Sequence, residues 1–378
     1  MVGSRFQVRS ILVTAVLLAA MATAGCGTGT TTPGPVIGVT AAAWPDADAL
    51  FRRDPRWLGG DAAFSVALGG DRILWLFGDS FIATSPANVR TESKMVRNSV
   101  AVQGGADPTT ATISFHWRPE SPAADARPAS FFPEQGTEWH WPQHGLRIGD
   151  TLVLFLTRVQ ATPGQGLGFV AVGWRLALID NPDDDADQWH IRYVEAPAVP
   201  AGLTVGAALL APTAGDDHVV ALALREPGDH AGYLARWSSQ ALAAGQLDAT
   251  EWWTGGGGWV AGGAPAVVIA DAGAECSLQW NAALGTFVHV KSEGFGATTV
   301  ALRFADQLTG PWSPPRIAFR PPESDQPNAF VYAAKAHPEL SGADLVVTYV
   351  ANTFGPLATL LSDSTIYYPR FVKVELQR

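Results

Sequence analysis

Five times along the chain two apolar runs flank a short turn rich in Gly or Asp. The runs are 63–68 with 73–77, 144–148 with 152–156, 207–212 with 219–224, 277–281 with 287–290, and 333–337 with 345–350. The turns between them fall at 69–71, 149–150, 215–217, 283–285 and 341–344. Alternating apolar text around such a turn is the signal of a β-hairpin. The hairpins recur roughly every 60 to 80 residues, and each is followed by more strand-like text such as 99–102 or 168–177. A hairpin plus two further strands at that spacing is one blade of a propeller. The pattern predicts an all-β chain, a five-bladed β-propeller. A β-sandwich is the rival, but it rarely needs this length or so regular a repeat. Helical periodicity is confined to a short stretch at 238–245.

Opposed residues of an antiparallel hairpin have numbers of constant sum. That rule sets Asp61 opposite Asp79, Trp141 opposite Arg158, Gly206 opposite Arg225, Glu275 opposite Ser292 and Ala333 opposite Asn352. In a propeller these pairs ring one mouth of the central channel. A β-bulge displaces any such pair by a residue, which would bring Glu293 to the rim in place of Ser292.

Asp61 and Asp79 are the sharpest chemical feature, each preceded by Gly. Opposed Cβ atoms lie roughly 5 Å apart. Two carboxylates that close repel, so one keeps its proton near neutrality. One carboxylic acid beside one carboxylate is the minimum for cleaving a glycosidic bond, and a short separation favours the retaining course. Around this pair the sequence offers candidate substrate contacts. Trp139, His140, Trp141 and His144 supply aromatic faces and imidazole tips at the start of the second blade. Arg97 and Asn98 open a later strand of the first. Arg158, Glu275, Lys335, His337 and Asn352 lie at other blade mouths, with Lys335 and His337 on one strand face. The acidic run 183–185 lacks the spacing of a calcium loop and reads as a solvated turn. No metal and no cofactor is expected.

Composition narrows the partners. A formal net charge of −10 argues against nucleic acid. Fourteen Trp, 39 Gly and 27 Pro with only 16% charged residues suit short strands, many turns and surfaces that bind sugars. The first 26 residues have the form of a secretory leader, with Arg5 and Arg9 before an apolar run at 11–24 too short to span a membrane with ease. Small residues before Cys26 suggest a lipobox, making Cys26 the lipidated first residue of the mature chain. Residues 27–36 read as a flexible linker and 37–378 as a single propeller domain. The expected protein is a monomer held on the outer face of the cell membrane by lipid alone. Cys276 is then the only other thiol, so no disulfide forms within the mature chain.

The text from Trp57 to Asp61 and from Leu74 to Ser80 resembles a family of exported bacterial five-bladed propellers of the domain-of-unknown-function kind. That family includes endo-D-arabinanases acting on mycobacterial cell-wall arabinan. Gly310-Pro311-Trp312-Ser313 resembles the strand ending of five-bladed glycosidase propellers, and 368–372 is similar to the end of the same family. The resemblance implies that Asp61 and Asp79 are the catalytic pair. Ala62 stands where the family often has Gly, and Ser80 where Thr is common. The expectation is a lipid-anchored glycoside hydrolase acting on a furanose-containing polysaccharide, with D-arabinan foremost, and with Asp79 as nucleophile and Asp61 as acid/base or the two roles exchanged. The alternatives are a non-catalytic glycan-binding propeller and a scaffold for protein partners.

Overall fold

A computed structural model of the chain describes residues 37–123, 126–164, 167–197 and 202–377. Cys26, the leader and the linker before residue 37 lie outside the described residues. Among the described residues five large antiparallel sheets follow one another along the chain, with no strand exchanged between them except at the closure, and a two-stranded ribbon of Arg118–Pro119 with Pro128–Ala129 lies between the first and the second. The protein is a five-bladed β-propeller.

Blade 1 runs outward through Trp57–Gly69, Arg72–Ala83, Ser99–Gly104 and Thr112–His116. Blade 2 is Glu138–Ile148, Thr151–Ala161, Phe169–Ile179 and Ile191–Glu195. Blade 3 starts at Leu203–Leu210 and His218–Arg225, and ends with a fifth short strand, Trp259–Ala261. Blade 4 starts at Cys276–Asn281 and Thr286–Glu293. Blade 5 uses Ala329–Ala336, Leu345–Thr353 and Pro369–Gln377, and its outermost strand is the N-terminal Gly38–Ala43. The two ends of the domain thus meet in one sheet. The helical stretch expected near 238–245 is Ser239–Ala244, capped by the Ser238 hydroxyl and ended by Gly245 at φ 76°.

Each blade presents apolar side chains on both faces, and the core lies between blades. Phe51, Trp57, Trp75, Phe77 and Phe371 fill the junction of blades 5 and 1. Phe155, Trp174, Tyr233 and Trp237 fill that of blades 2 and 3. Fully burying one such aromatic contributes roughly 1.5–3 kcal/mol. These junctions hold the inner strands around the channel and so fix what faces it.

Bulges correct the constant-sum register. In blade 1 Gly60 pairs with Ser80 and Ala62 with Phe77, so Asp61 faces both Gly78 and Asp79. The next step adds a residue on the inner strand, where Ala62 and Ala63 adopt φ 64° and 58°. In blade 2 Trp141 pairs with Thr157 and Arg158 with His140, one residue from the expected register. Arg225 pairs with Leu203 rather than Gly206, because Gly206 and Ala207 are extra residues. Asn352 pairs with Phe330 rather than Ala333, because a shift intervenes between Tyr332 and Lys335. The inner hairpin of blade 4 is uninterrupted, and Cys276 opposite Lys291 keeps Glu275 in line with Ser292.

Candidate active site

The bulge in blade 1 turns Asp61 into the mouth beside Asp79. Gly78 is required there, because a methyl group on it would overlap the Oδ1 of Asp61. Tyr332 of blade 5 donates its hydroxyl to Asp61 Oδ2 at 2.7 Å. Tyr367, just before the last strand, lies 3.1 Å from the same oxygen and 3.2 Å from the Asp79 carbonyl. Asp79 is held on both oxygens. Arg97 donates to Oδ2 at 3.2 Å and the Trp141 indole to Oδ1 at 3.1 Å.

Burial raises the pKa of Asp61 to about 8, and the charges of Asp79 and Glu275 add to the rise against the two tyrosine hydroxyls. Burial also raises Asp79, opposed by Arg97 and Trp141. Asp61 is therefore the protonated member near neutrality, and Asp79, with a cation and an indole N–H on it, is the better carboxylate. Burial, then the field of Asp61, pushes both tyrosine hydroxyls well above their ordinary value, so they remain donors.

Beneath the acids lies Lys335, 1% exposed. Its Nζ donates to the carbonyls of Ala62 at 2.6 Å and Ala333 at 2.9 Å, and to Glu275 at 2.9 Å. Both alanines have positive φ, 64° and 62°. A left-handed residue other than Gly costs about 1–2 kcal/mol. One ammonium thus clamps the strained bulges of blades 1 and 5. The Phe64 ring lies 4.4 Å from the same nitrogen. Below Lys335 the channel widens into a cavity of about 900 Å³ lined by all five inner strands.

Several residues expected at the mouth lie elsewhere. Asn98 is fully buried, with its amide bonded to the carbonyls of Phe132 and His140 and to the Phe132 N–H. It fixes a loop, and no face is left for a substrate. Trp139 is buried beneath the Arg97 guanidinium, 4.3 Å from its ring. His140 is buried against the Pro133 carbonyl and Arg175. Of that aromatic cluster Trp141 reaches the acids. Arg158 turns outward to Glu138 at 2.7 Å and Glu195 at 3.5 Å, in keeping with its shifted register. His144 and His337 line the channel below: His144 accepts from the Leu209 N–H and bonds the Ser65 carbonyl, and His337 joins Ser65 to Thr348. Asn352 sits against the Tyr332 hydroxyl. Ser292 accepts from the Ala334 N–H, while Glu293 pairs with Lys291 at 3.1 Å. Cys276 is a buried free thiol. Asp183 pairs with Arg147 at 2.6 Å, and Asp185 stands 3.7 Å from His116, so the acidic run is an ion-paired corner away from the mouth.

The family follows from comparison with known domains. Residues 46–376 match the family described as "Domain of unknown function (DUF5005)". The chain belongs to DUF5005. No curated protein matches it by sequence. Among solved structures, this DUF5005 propeller is similar to a candidate hydrolase from Bacteroides ovatus, at 19% identity and a TM-score of 0.67, over 89% of this chain and 90% of that one. It is also similar to an endo-arabinase from Bacteroides thetaiotaomicron, at 14% identity and a TM-score of 0.47, over 83% and 94% of the two chains. The first likeness shows the fold.

Sequence reasoning missed Tyr367 and gave Tyr332 no role. In the DUF5005 chain these tyrosines come from distant segments and meet at one oxygen of Asp61. Alternation along 330, 332 and 334 could have placed Tyr332 on one strand face with Phe330. Tyr367 has φ 63° just before a strand, and no local pattern signals that.

Proposed function

We propose that the protein is a glycoside hydrolase that cleaves a furanose-containing polysaccharide, D-arabinan foremost. The observation that carries this reading is the acid pair: Asp61 protonated up to about 8, beside Asp79 held by Arg97 and Trp141. In the retaining course Asp79 Oδ attacks the anomeric carbon. The Asp61 proton, on the Oδ1 that the tyrosines leave free, passes to the departing oxygen. Water, deprotonated by Asp61, then cleaves the glycosyl–Asp79 ester and restores both groups. Retention uses two carboxyls roughly 5–5.5 Å apart, and Asp61 and Asp79 project from facing strands of one hairpin. Trp141 supplies an aromatic face beside Asp79. Export, lipidation at Cys26 and attachment to the outer face of the cell membrane are part of the same proposal. They rest on the leader-like first 26 residues.

The protein incubated with D-arabinan, L-arabinan, xylan and levan tests this. Products from D-arabinan, lost in both Asp61→Asn and Asp79→Asn, are expected; hydrolysis that survives both substitutions rules the mechanism out. A second reading, a propeller that binds glycan without turnover, draws on the saturation of the acids: both Asp79 oxygens and Asp61 Oδ2 already accept donors. It requires saturable binding that persists in Asp79→Asn with no product.

A further inference from the structure

Tyr332, which holds Asp61, is also the first ring of an aromatic series. Phe330 stacks on it at 4.5 Å and 17°, and Phe354 stacks on Phe330 at 4.5 Å and 26°. Phe295 continues the series 5.4 Å beyond Phe354. Exposure rises along it. Phe330 is half-buried, Phe354 is 47% exposed and Phe295 is 73% exposed.

Three separate segments build this series. Phe330 alternates with Tyr332 on the inner strand of blade 5, and Phe354 follows the neighbouring strand. Phe295 stands at the tip of a turn between Gly294 and Gly296, whose φ values are 104° and 78°. The Gly296 carbonyl accepts from the Val331 N–H, which ties that turn to blade 5. Core packing does not account for a phenylalanine left three-quarters in water. An apolar patch kept at the surface, continuous with a polar site, marks a binding surface.

We propose that the exposed ring of Phe295 and the free ring edges of Phe354 and Phe330 form an apolar shelf against which a neutral polysaccharide chain lies as it leaves the acid pair. The occupant follows from the chemistry beside the shelf. Successive sugars offer apolar C–H faces at intervals, which pack against the exposed aromatic carbon of this series. Asn352 and Thr353 alongside are neutral hydrogen-bonding groups, suited to hydroxyls rather than to an anion. The shelf is also continuous with the mouth through Tyr332, so a chain held there is already in line with Asp61. This inference rests on a glycan occupying the mouth and does not depend on its being cleaved.

The test is affinity electrophoresis of the full chain through gels containing D-arabinan, L-arabinan or xylan. It uses the Asp79→Asn background so that no polymer is consumed. Adding Phe295→Ala and Phe354→Ala together should weaken retention by the best-bound polymer at least tenfold. Both side chains are exposed, so thermal unfolding should be unchanged and a folding defect is excluded. Trp280→Ala, which removes an exposed aromatic from the other end of the channel, should leave retention as it was. Retention within twofold of the parent in the double Phe variant overturns the shelf, as does retention by none of the three glycans. Lipid vesicles bound through the same two phenylalanines would reassign the patch and overturn it also. The hydrolase reading fails separately: retention that depends on the shelf, with no sugar released by the unsubstituted protein, refutes catalysis and leaves the shelf standing. Hydrolysis with an unchanged KM in Phe295→Ala/Phe354→Ala does the reverse.

Discussion

Lys335→Met should destabilise the propeller as much as truncating a large core side chain, although it leaves little cavity. The side chain is 1% exposed, and its three hydrogen bonds reach Glu275 and two backbone carbonyls. Met fills much of the same space, so the loss is electrostatic rather than a cavity. Removing one partner of a buried ion pair costs about 3–5 kcal/mol, because the other charge is stranded. The orphaned carbonyls of Ala62 and Ala333 would each cost about 1–3 kcal/mol alone, but they share one donor, so the figures overlap. The expected loss is about 3–5 kcal/mol. At about 2.1 cal/mol/K per residue, that lowers Tm by roughly 4–7 °C in a domain of this size. Urea unfolding should show a lower midpoint with an unchanged slope. In Lys335→Met/Glu275→Gln the stranded charge is gone, and about 1–2 kcal/mol should return. A loss under about 1 kcal/mol in Lys335→Met, or no recovery in the double variant, would refute the clamp.

Three other outcomes follow from the geometry. In hydrolysis assays the rate should fall as pH rises through about 8, where Asp61 gives up its proton; Asp61→Asn should abolish that alkaline limb and cost about 10²–10⁴-fold in rate. Gly78→Ala should displace the Asp61 carboxyl that its methyl overlaps, lowering kcat by about 10²-fold, with circular dichroism unchanged. Burial lowers His289 to about 3 and His337 well below its ordinary value, so both are neutral in the fold. The unfolded chain therefore binds more protons below about pH 6.5, and denaturant unfolding should show stability falling as pH drops toward 4, by about 1.4 kcal/mol per pH unit for each histidine.

The hairpins were legible because their apolar runs and Gly/Asp turns are local, and five of them at near-regular spacing leave few architectures open. The acid pair was legible for the same reason, since both aspartates belong to one hairpin. The partners of those acids were less so. A bulge at Ala62 and Ala63 depends on a left-handed backbone that alanine does not advertise, and its stabiliser, Lys335, lies 273 positions away. The same kind of bulge moved Arg158 off the mouth and put Gly206 and Ala333 out of register. Asn98, Trp139 and His140 have side chains suited to sugars, but the loop at 130–133 and the Arg97 and Arg175 guanidiniums use them first. The type of a residue suggested its chemistry, whereas long-range contacts decided which polar groups remained free.

The closure of the ring has a mechanical consequence. Six register pairs join Gly38–Ala43 to the C-terminal strand, from Gly38 with Gln377 to Ala43 with Val372. Under the proposed anchoring, this latch strand is also where the tether enters the domain, so any drag on the protein is loaded along it. Pulled lengthwise, the pairs share the force and slip together instead of opening one after another. Blade 5, which receives that force, also carries Tyr332 and Phe330. Tension on the tether is therefore felt in the same sheet that steadies Asp61, and a chain towed along its polymer would be strained first at its site.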